Sequence, residues 1–180
     1  MQTSYVALLR GINLASRNRL PMKTLEKMFK DAGCDGVRSY IQSGNVFFRA
    51  NRTLAGKLSN QIAAKILQSF GFRIPVILRS AEQMAETVKG NPFVNNEAMA
   101  EVLHVMFLAN QPSQERIAAL DHNRFLPDEF AVRGAEIYLC LPTGVARSKL
   151  TNAYFDSKLA TVSTSRNWRT VNKLLEMMRE

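Results

Sequence analysis

GVRSYIQSGNVFFRA, residues Gly36–Ala50, is the stretch from which the fold is read. Two short apolar-aromatic runs, Val37–Ile41 and Val46–Phe48, flank the polar tetrad Gln42-Ser43-Gly44-Asn45. Ser-Gly and Gly-Asn are hairpin-turn pairs, because Gly takes positive φ without steric cost and Asn tolerates it. Two antiparallel strands are therefore expected to meet at a tip holding more amides and hydroxyls than a turn requires. That surplus makes the tip a candidate site.

Working outward, the hairpin is bracketed by helical patterns. Before it, Pro21 precedes Met22, Leu25, Phe29 and Ala32 at three- and four-residue spacing, and Gly33 stops the pattern. After it, Leu54, Leu58, Ile62, Ile66 and Phe70 form a second apolar stripe closed by Gly71. Outside these lie Tyr5–Leu9, a continuous apolar run suited to a strand buried on both faces, and Phe72–Leu78, whose Pro75 points to a sheet edge. The order β-α-β-β-α-β is that of a ferredoxin-like unit.

Beyond it the spacing predicts a helix over Ala81–Lys89 and a loop over Gly90–Asn96. A strand over Val102–Leu108 and a helix over Ser113–Leu120 follow. Phe130–Arg133 and Glu136–Leu141 read as a hairpin turned at Gly134, and a helix is expected within Arg147–Leu159. No fourth strand is visible, and Trp168, Val171, Leu175 and Met178 share one face of a last helix. The fold class is α+β: a ferredoxin-like β-α-β-β-α-β unit over 1–80, a helix and linker over 81–99, and a related, incomplete β-α-β-β-α unit with a C-terminal helix over 100–180.

The 46% hydrophobic content of the 180 residues is enough for a packed core and argues against disorder. No apolar run approaches a bilayer span, and Met1–Arg10 lacks the features of a signal peptide, so no membrane partner is expected. Cys34 and Cys140 form no CxxC pair, which reads as reduced, buried thiols in a cytoplasmic protein. Two cysteines and two isolated histidines make a zinc site an unsuitable reading, and no metal or cofactor is expected. The net charge of +9 is uneven, with 13 Lys/Arg and 3 Asp/Glu in residues 1–80. Such asymmetry suggests an anionic partner; the plainer account is that Lys and Arg solvate helix faces.

Three polar clusters fall at the ends of regular elements, where loops commonly carry function. The first is Arg10-Gly11-Ile12-Asn13 with Arg17 and Asn18, in a loop that also holds Arg19; the second is the Gln42–Asn45 tip; the third is Ser163–Trp168, ahead of the last helix. A helix start rich in hydroxyls and arginine suits an anion, while N-capping by Ser or Thr accounts for it structurally. The first loop is not a P-loop, since GxxxxGK[ST] is absent. His104 alternates with Val102 and Met106 along a strand, so a satisfied core or edge histidine is expected there. Carboxylates are nearly absent from the clusters, which argues against carboxylate-based hydrolysis and divalent metals. SGNVFFRA at Ser43–Ala50 lacks the glycine-aromatic spacing of an RNA recognition motif, so Phe47 and Phe48 are read as core.

The chain resembles the family called domain of unknown function 1697. The resemblance rests on Tyr5–Asn13, Asn18 with Pro21-Met22, Tyr40–Val46, Asn91-Pro92-Phe93, Thr164–Trp168 and Thr170, Val171, Lys173 and Leu174. It implies an α+β fold containing a ferredoxin-like subdomain and no established activity, ligand or cofactor. The family commonly has Gly-Gly-Lys-Asn in the first loop, where this chain reads Ala15-Ser16-Arg17-Asn18. Losing both glycines weakens any close wrapping of a phosphate by that loop.

These readings converge on binding of an anionic ligand, whether nucleotide, phosphorylated metabolite or nucleic acid, without a metal. The alternatives are an enzyme acting on a small phosphorylated or carboxylated substrate and a module docking an acidic protein. The expected site is one cleft with Arg10, Arg17 and Arg166 as charge donors and Asn13, Asn18, Gln42, Ser43, Asn45 and Asn167 as neutral donors and acceptors. Lys173 lies about two turns into the last helix. Arg166 is the expected anchor; its structural alternative ties the last helix to the hairpin tip.

Overall fold

The computed structural model describes residues 2–14, 17–94 and 100–180. Ala15 and Ser16 of the first loop lie outside the described residues, as do Asn95 and Asn96 of the loop expected over Gly90–Asn96. The chain forms two compact units: one runs to Met84 and includes Glu176–Glu180, and the other is Ala85–Leu175.

The first unit holds β1 (Thr3–Leu9), α1 (Met22–Asp31), β2 (Asp35–Tyr40), β3 (Asn45–Ala50), α2 (Arg52–Phe70) and β4 (Val76–Ser80). Its strands form one antiparallel sheet in the order β2-β3-β1-β4, with Tyr5 opposite Phe48 and Ala7 opposite Val46. Val6, Ala7, Leu8 and Leu9 are all fully buried, so β1 is covered on both faces, in keeping with its unbroken apolar run. Ala7, Leu9, Val46 and Phe48 meet Leu25 and Phe29 of α1 and Leu58, Ile62 and Ile66 of α2 in one core. Sequence dictates the helix ends. Asn51 accepts the Leu54 amide at 2.8 Å to cap α2, and Gly71 closes it at φ +77°. Among the described residues β4 pairs only with β1, so Pro75 sits where no ladder bond is lost.

The second unit follows α3 (Ala81–Lys89), which crosses the boundary between the two. It contains β5 (Leu103–Leu108), α4 (Gln114–Ala118), β6 (Glu129–Arg133), β7 (Glu136–Cys140), α5 (Asn152–Leu159) and β8 (Ser163–Asn167). The chain then enters α6 (Trp168–Arg179). The strands form an antiparallel sheet ordered β6-β7-β5-β8, with Met106, Leu139, Phe130 and Phe155 in its core.

Here the structure corrects the sequence reading. The unit expected to lack a fourth strand has one, because Ser163–Asn167 pairs along β5 with Met106 opposite Ser165. The stretch STSRN carries no hydrophobic alternation, which is why it reads as a loop. Ser163 is buried by pairing with side chains of α5: Asn152 Nδ2 donates to Ser163 Oγ at 2.7 Å, and Ser163 Oγ donates to Asp156 Oδ1 at 2.6 Å. A buried hydroxyl costs little once both its donor and acceptor roles are filled.

Candidate anion-binding site

The first loop leaves β1 through three residues of positive φ: Gly11 at 71°, Asn13 at 53° and Asn18 at 51°. Asn tolerates this region better than other side-chain-bearing residues, which explains two asparagines at these turns. The backbone closes on itself, with Asn13 N–H donating to Asn18 O at 3.0 Å and Arg17 N–H to Leu14 O at 2.8 Å. Asn18 Nδ2 donates to Gly11 O at 2.8 Å across the loop's neck.

Asn13 joins this loop to the hairpin tip. Its Nδ2 donates to Leu20 O and to Gln42 O, each at 3.0 Å, while its Oδ1 accepts the Leu20 amide at 2.9 Å. The tip is fastened a second time by Leu9 N–H donating to Gly44 O at 2.8 Å. Gly44 has φ +80°, and a Cβ there would lie 2.8 Å from Leu9 Cβ and 2.9 Å from Ile12 Cδ1. Only glycine fits so close an approach. Asn45, fully buried in β3 and not at the tip's surface, donates Nδ2 to Tyr40 O at 3.2 Å and to Ser43 Oγ at 3.0 Å. Ile41, unexpectedly, carries positive φ (52°) beside the tetrad and is 51% exposed.

Two of the three sequence clusters are thus brought together in the first unit, and their amides are spent holding loop to tip. What this rigid pairing presents outward is different chemistry. Arg17, Arg19, Gln42 and Ser43 are exposed and Arg10 is half-buried. Among the described residues, the side chains of Arg17, Arg19 and Gln42 take part in no hydrogen bond or ion pair. Arg19 adds an exposed cation beyond the expected site residues, and its adjacency to Asn18 is the signal for it in the sequence.

Arg166, Asn167 and Lys173 lie in the second unit. Arg166 is a β8 residue and not part of a loop at a helix start, 8% exposed, donating to Thr164 Oγ1 at 2.9 Å and Ser165 O at 2.8 Å. Burial lowers its pKa to about 10, which still leaves it charged at neutral pH. Asn167 is exposed and its Oδ1 accepts the Thr170 amide at 2.8 Å, the N-cap role at the start of α6. Lys173 is half-buried on α6.

Charge is divided unequally. The first unit holds 14 Lys/Arg against 6 Asp/Glu, a net of +8, and the second holds 10 against 9, a net of +1. Cys34 and Cys140 are both buried free thiols; desolvation, then the charge of Asp35, pushes Cys34 up to about 11. Among the described residues no group of three or more His, Cys, Asp or Glu could hold a metal ion. No helix of the described residues is long and apolar enough to cross a membrane.

Fold and loops together define a two-unit α+β protein whose first unit carries a basic, amide-braced loop pair. The chain belongs to the family described as protein of unknown function DUF1697, whose model matches residues 1–138. A comparison with curated proteins found no match. Among solved structures, the chain is similar to conserved bacterial protein SP0830 from Streptococcus pneumoniae, at 19% identity with a TM-score of 0.75. That alignment covers 99% of each chain, and at this identity it establishes the fold alone.

Proposed function

We propose that the first unit is a binding module for a phosphate-bearing anion, and that an extended nucleic-acid strand is the ligand class its chemistry suits best. The observation that carries this reading is the +8 charge of the first unit against +1 in the second. Arginines 10, 17 and 19 ride on a loop whose backbone is held by the Asn13 and Asn18 amides, which keeps their attachment points near one another. Guanidinium suits phosphate because its planar fork of donors bonds two oxygens at once. Exposed arginines on a loop suit a backbone passing over them, and Gln42 and Ser43 add neutral donors. We further infer that both units are ferredoxin-like, a reading supported by their matching strand order. We also propose a cytoplasmic location, a reading supported by the two buried free thiols Cys34 and Cys140.

Titration of a labelled single-stranded oligonucleotide at several salt concentrations tests the proposal. Each phosphate contact contributes about −0.7 to the slope of log K against log salt, so Arg17→Ala with Arg19→Ala should flatten it by roughly 1.4. Thermal stabilisation by a mononucleotide or sugar phosphate, with no oligonucleotide binding, would replace the strand by a small ligand. Absence of both responses would defeat the anion reading. Arg166→Lys and Lys173→Ala in the same titration test whether the third cluster serves this ligand.

A further inference from the structure

The second unit contains a compartment unrelated to the basic loops. Its inner cavity, about 130 Å³, is lined by Met106, Leu139, Leu141 and Leu150, with Thr151, Asn152 and Ser165 beside them. Its outer cavity, about 320 Å³, is bordered by Glu101, Asn167 and Arg169. His104, Leu141 and Val145 border both, so the two adjoin. We propose that this compartment binds a free α-amino acid with an apolar side chain, held side chain inward with its ammonium and carboxylate at the mouth.

The larger part of the inner wall is apolar, and two of its polar groups are already engaged: Thr151 Oγ1 accepts the Tyr154 amide and Asn152 Nδ2 donates to Ser163 Oγ. Apolar surface of this kind takes apolar occupants in preference to water. The inner cavity's size is that of a branched or thioether side chain rather than a fused ring system. The mouth carries one cation and one anion: Arg169 and Glu101 pair at 2.7 Å, with side chains 71% and 72% exposed. An exposed pair of this kind is weak, so both charges can be shared with an incoming partner. Their sum is zero. A simple anion or cation would meet an opposing charge, whereas a zwitterion meets a complement for each end.

Two neutral groups sharpen the match. His104 Nδ1 lies 3.3 Å from Val102 O, and because a carbonyl only accepts, the ring proton sits on Nδ1. Nε2 is then an acceptor, suited to an ammonium alongside Glu101. Asn167 uses its Oδ1 on the Thr170 amide, which leaves Nδ2 as a donor suited to a carboxylate alongside Arg169. His104 and Asn167 are register partners across β5 and β8, so the sheet fixes their separation and places them on one face. The reading is independent of anion binding by the first unit.

Calorimetric titration of the full chain with L-leucine and L-methionine, beside N-acetyl-leucine, leucinamide and L-aspartate, tests it. The free apolar amino acids should bind, and capping either end should weaken binding about tenfold or more, as loss of a charge-assisted contact requires. Arg169→Ala should weaken leucine similarly, and its exposure makes a folding effect small. Val145 is 61% exposed, so Val145→Trp should fill the compartment and abolish binding while leaving the melting temperature close to that of the parent. Absence of leucine and methionine binding, equal binding of the capped forms, or undiminished binding by a folded Val145→Trp variant would each overturn the proposal.

Discussion

Replacing Asn13 with alanine probes the junction on which the first unit's loops depend. The side chain makes three hydrogen bonds, to Leu20 O, Gln42 O and the Leu20 amide, at 2.9–3.0 Å. At about 0.5–1.5 kcal/mol each they sum to roughly 1.5–4.5 kcal/mol. Asn13 is half-buried, so water can take over part of the bonding, while φ of 53° is worse for alanine than for asparagine. The two corrections oppose each other, and a loss of about 2–3 kcal/mol is expected. Urea unfolding followed by circular dichroism reads this as a lower midpoint at unchanged slope. Asn13→Asp is the informative companion. It keeps an acceptor for the Leu20 amide but turns a carboxylate oxygen toward two carbonyls, so it should cost at least as much as alanine. A loss under about 0.5 kcal/mol for Asn13→Ala would refute the claim that this amide holds loop to tip.

Gly44→Ala should destabilise by about 2–5 kcal/mol, joining left-handed strain to a clash with Leu9 and Ile12, whereas Gly71→Ala, with open space around its Cβ, should cost only the strain, about 1–2 kcal/mol. Equal losses in the two unfolding curves would remove the packing argument. His104 has its pKa lowered from 6.5, chiefly by burial and against the raising effect of its bond to Val102 O. The unfolded chain therefore binds a proton first, and stability should fall as pH drops below about 6.5 toward the lower folded value. His104→Gln should flatten that part of the profile of urea midpoints; an unchanged slope would show that other groups produce it.

The parts of the fold legible in the sequence were those in which hydrophobic period and punctuation agree. Leu54, Leu58, Ile62 and Ile66 set the face of α2, and Asn51 and Gly71 set its ends. β8 was hidden because burial there is bought by polar pairing of Ser163 with Asn152 and Asp156, which no alternation rule can detect. The same blindness affected the candidate site. Asn13, Asn18 and Asn45 looked like exposed donors because amides at turns resemble a ligand shell, yet their partners are backbone carbonyls of the same unit. Asparagine serves both purposes with the same atoms, and only distances separate them. His104 reads as a lone strand histidine until register sets Asn167 opposite it.

The anion-binding reading is tested most directly by recording backbone amide NMR shifts while an oligonucleotide is titrated into the full chain at low salt. The account predicts that shifts concentrate at Arg10–Leu14, Arg17–Leu20 and Ile41–Gly44, with broadening of the Arg17 and Arg19 side-chain signals. Those shifts should recede as salt is raised. A titration that leaves these residues unmoved, or that moves only residues between Ala85 and Leu175, would contradict it.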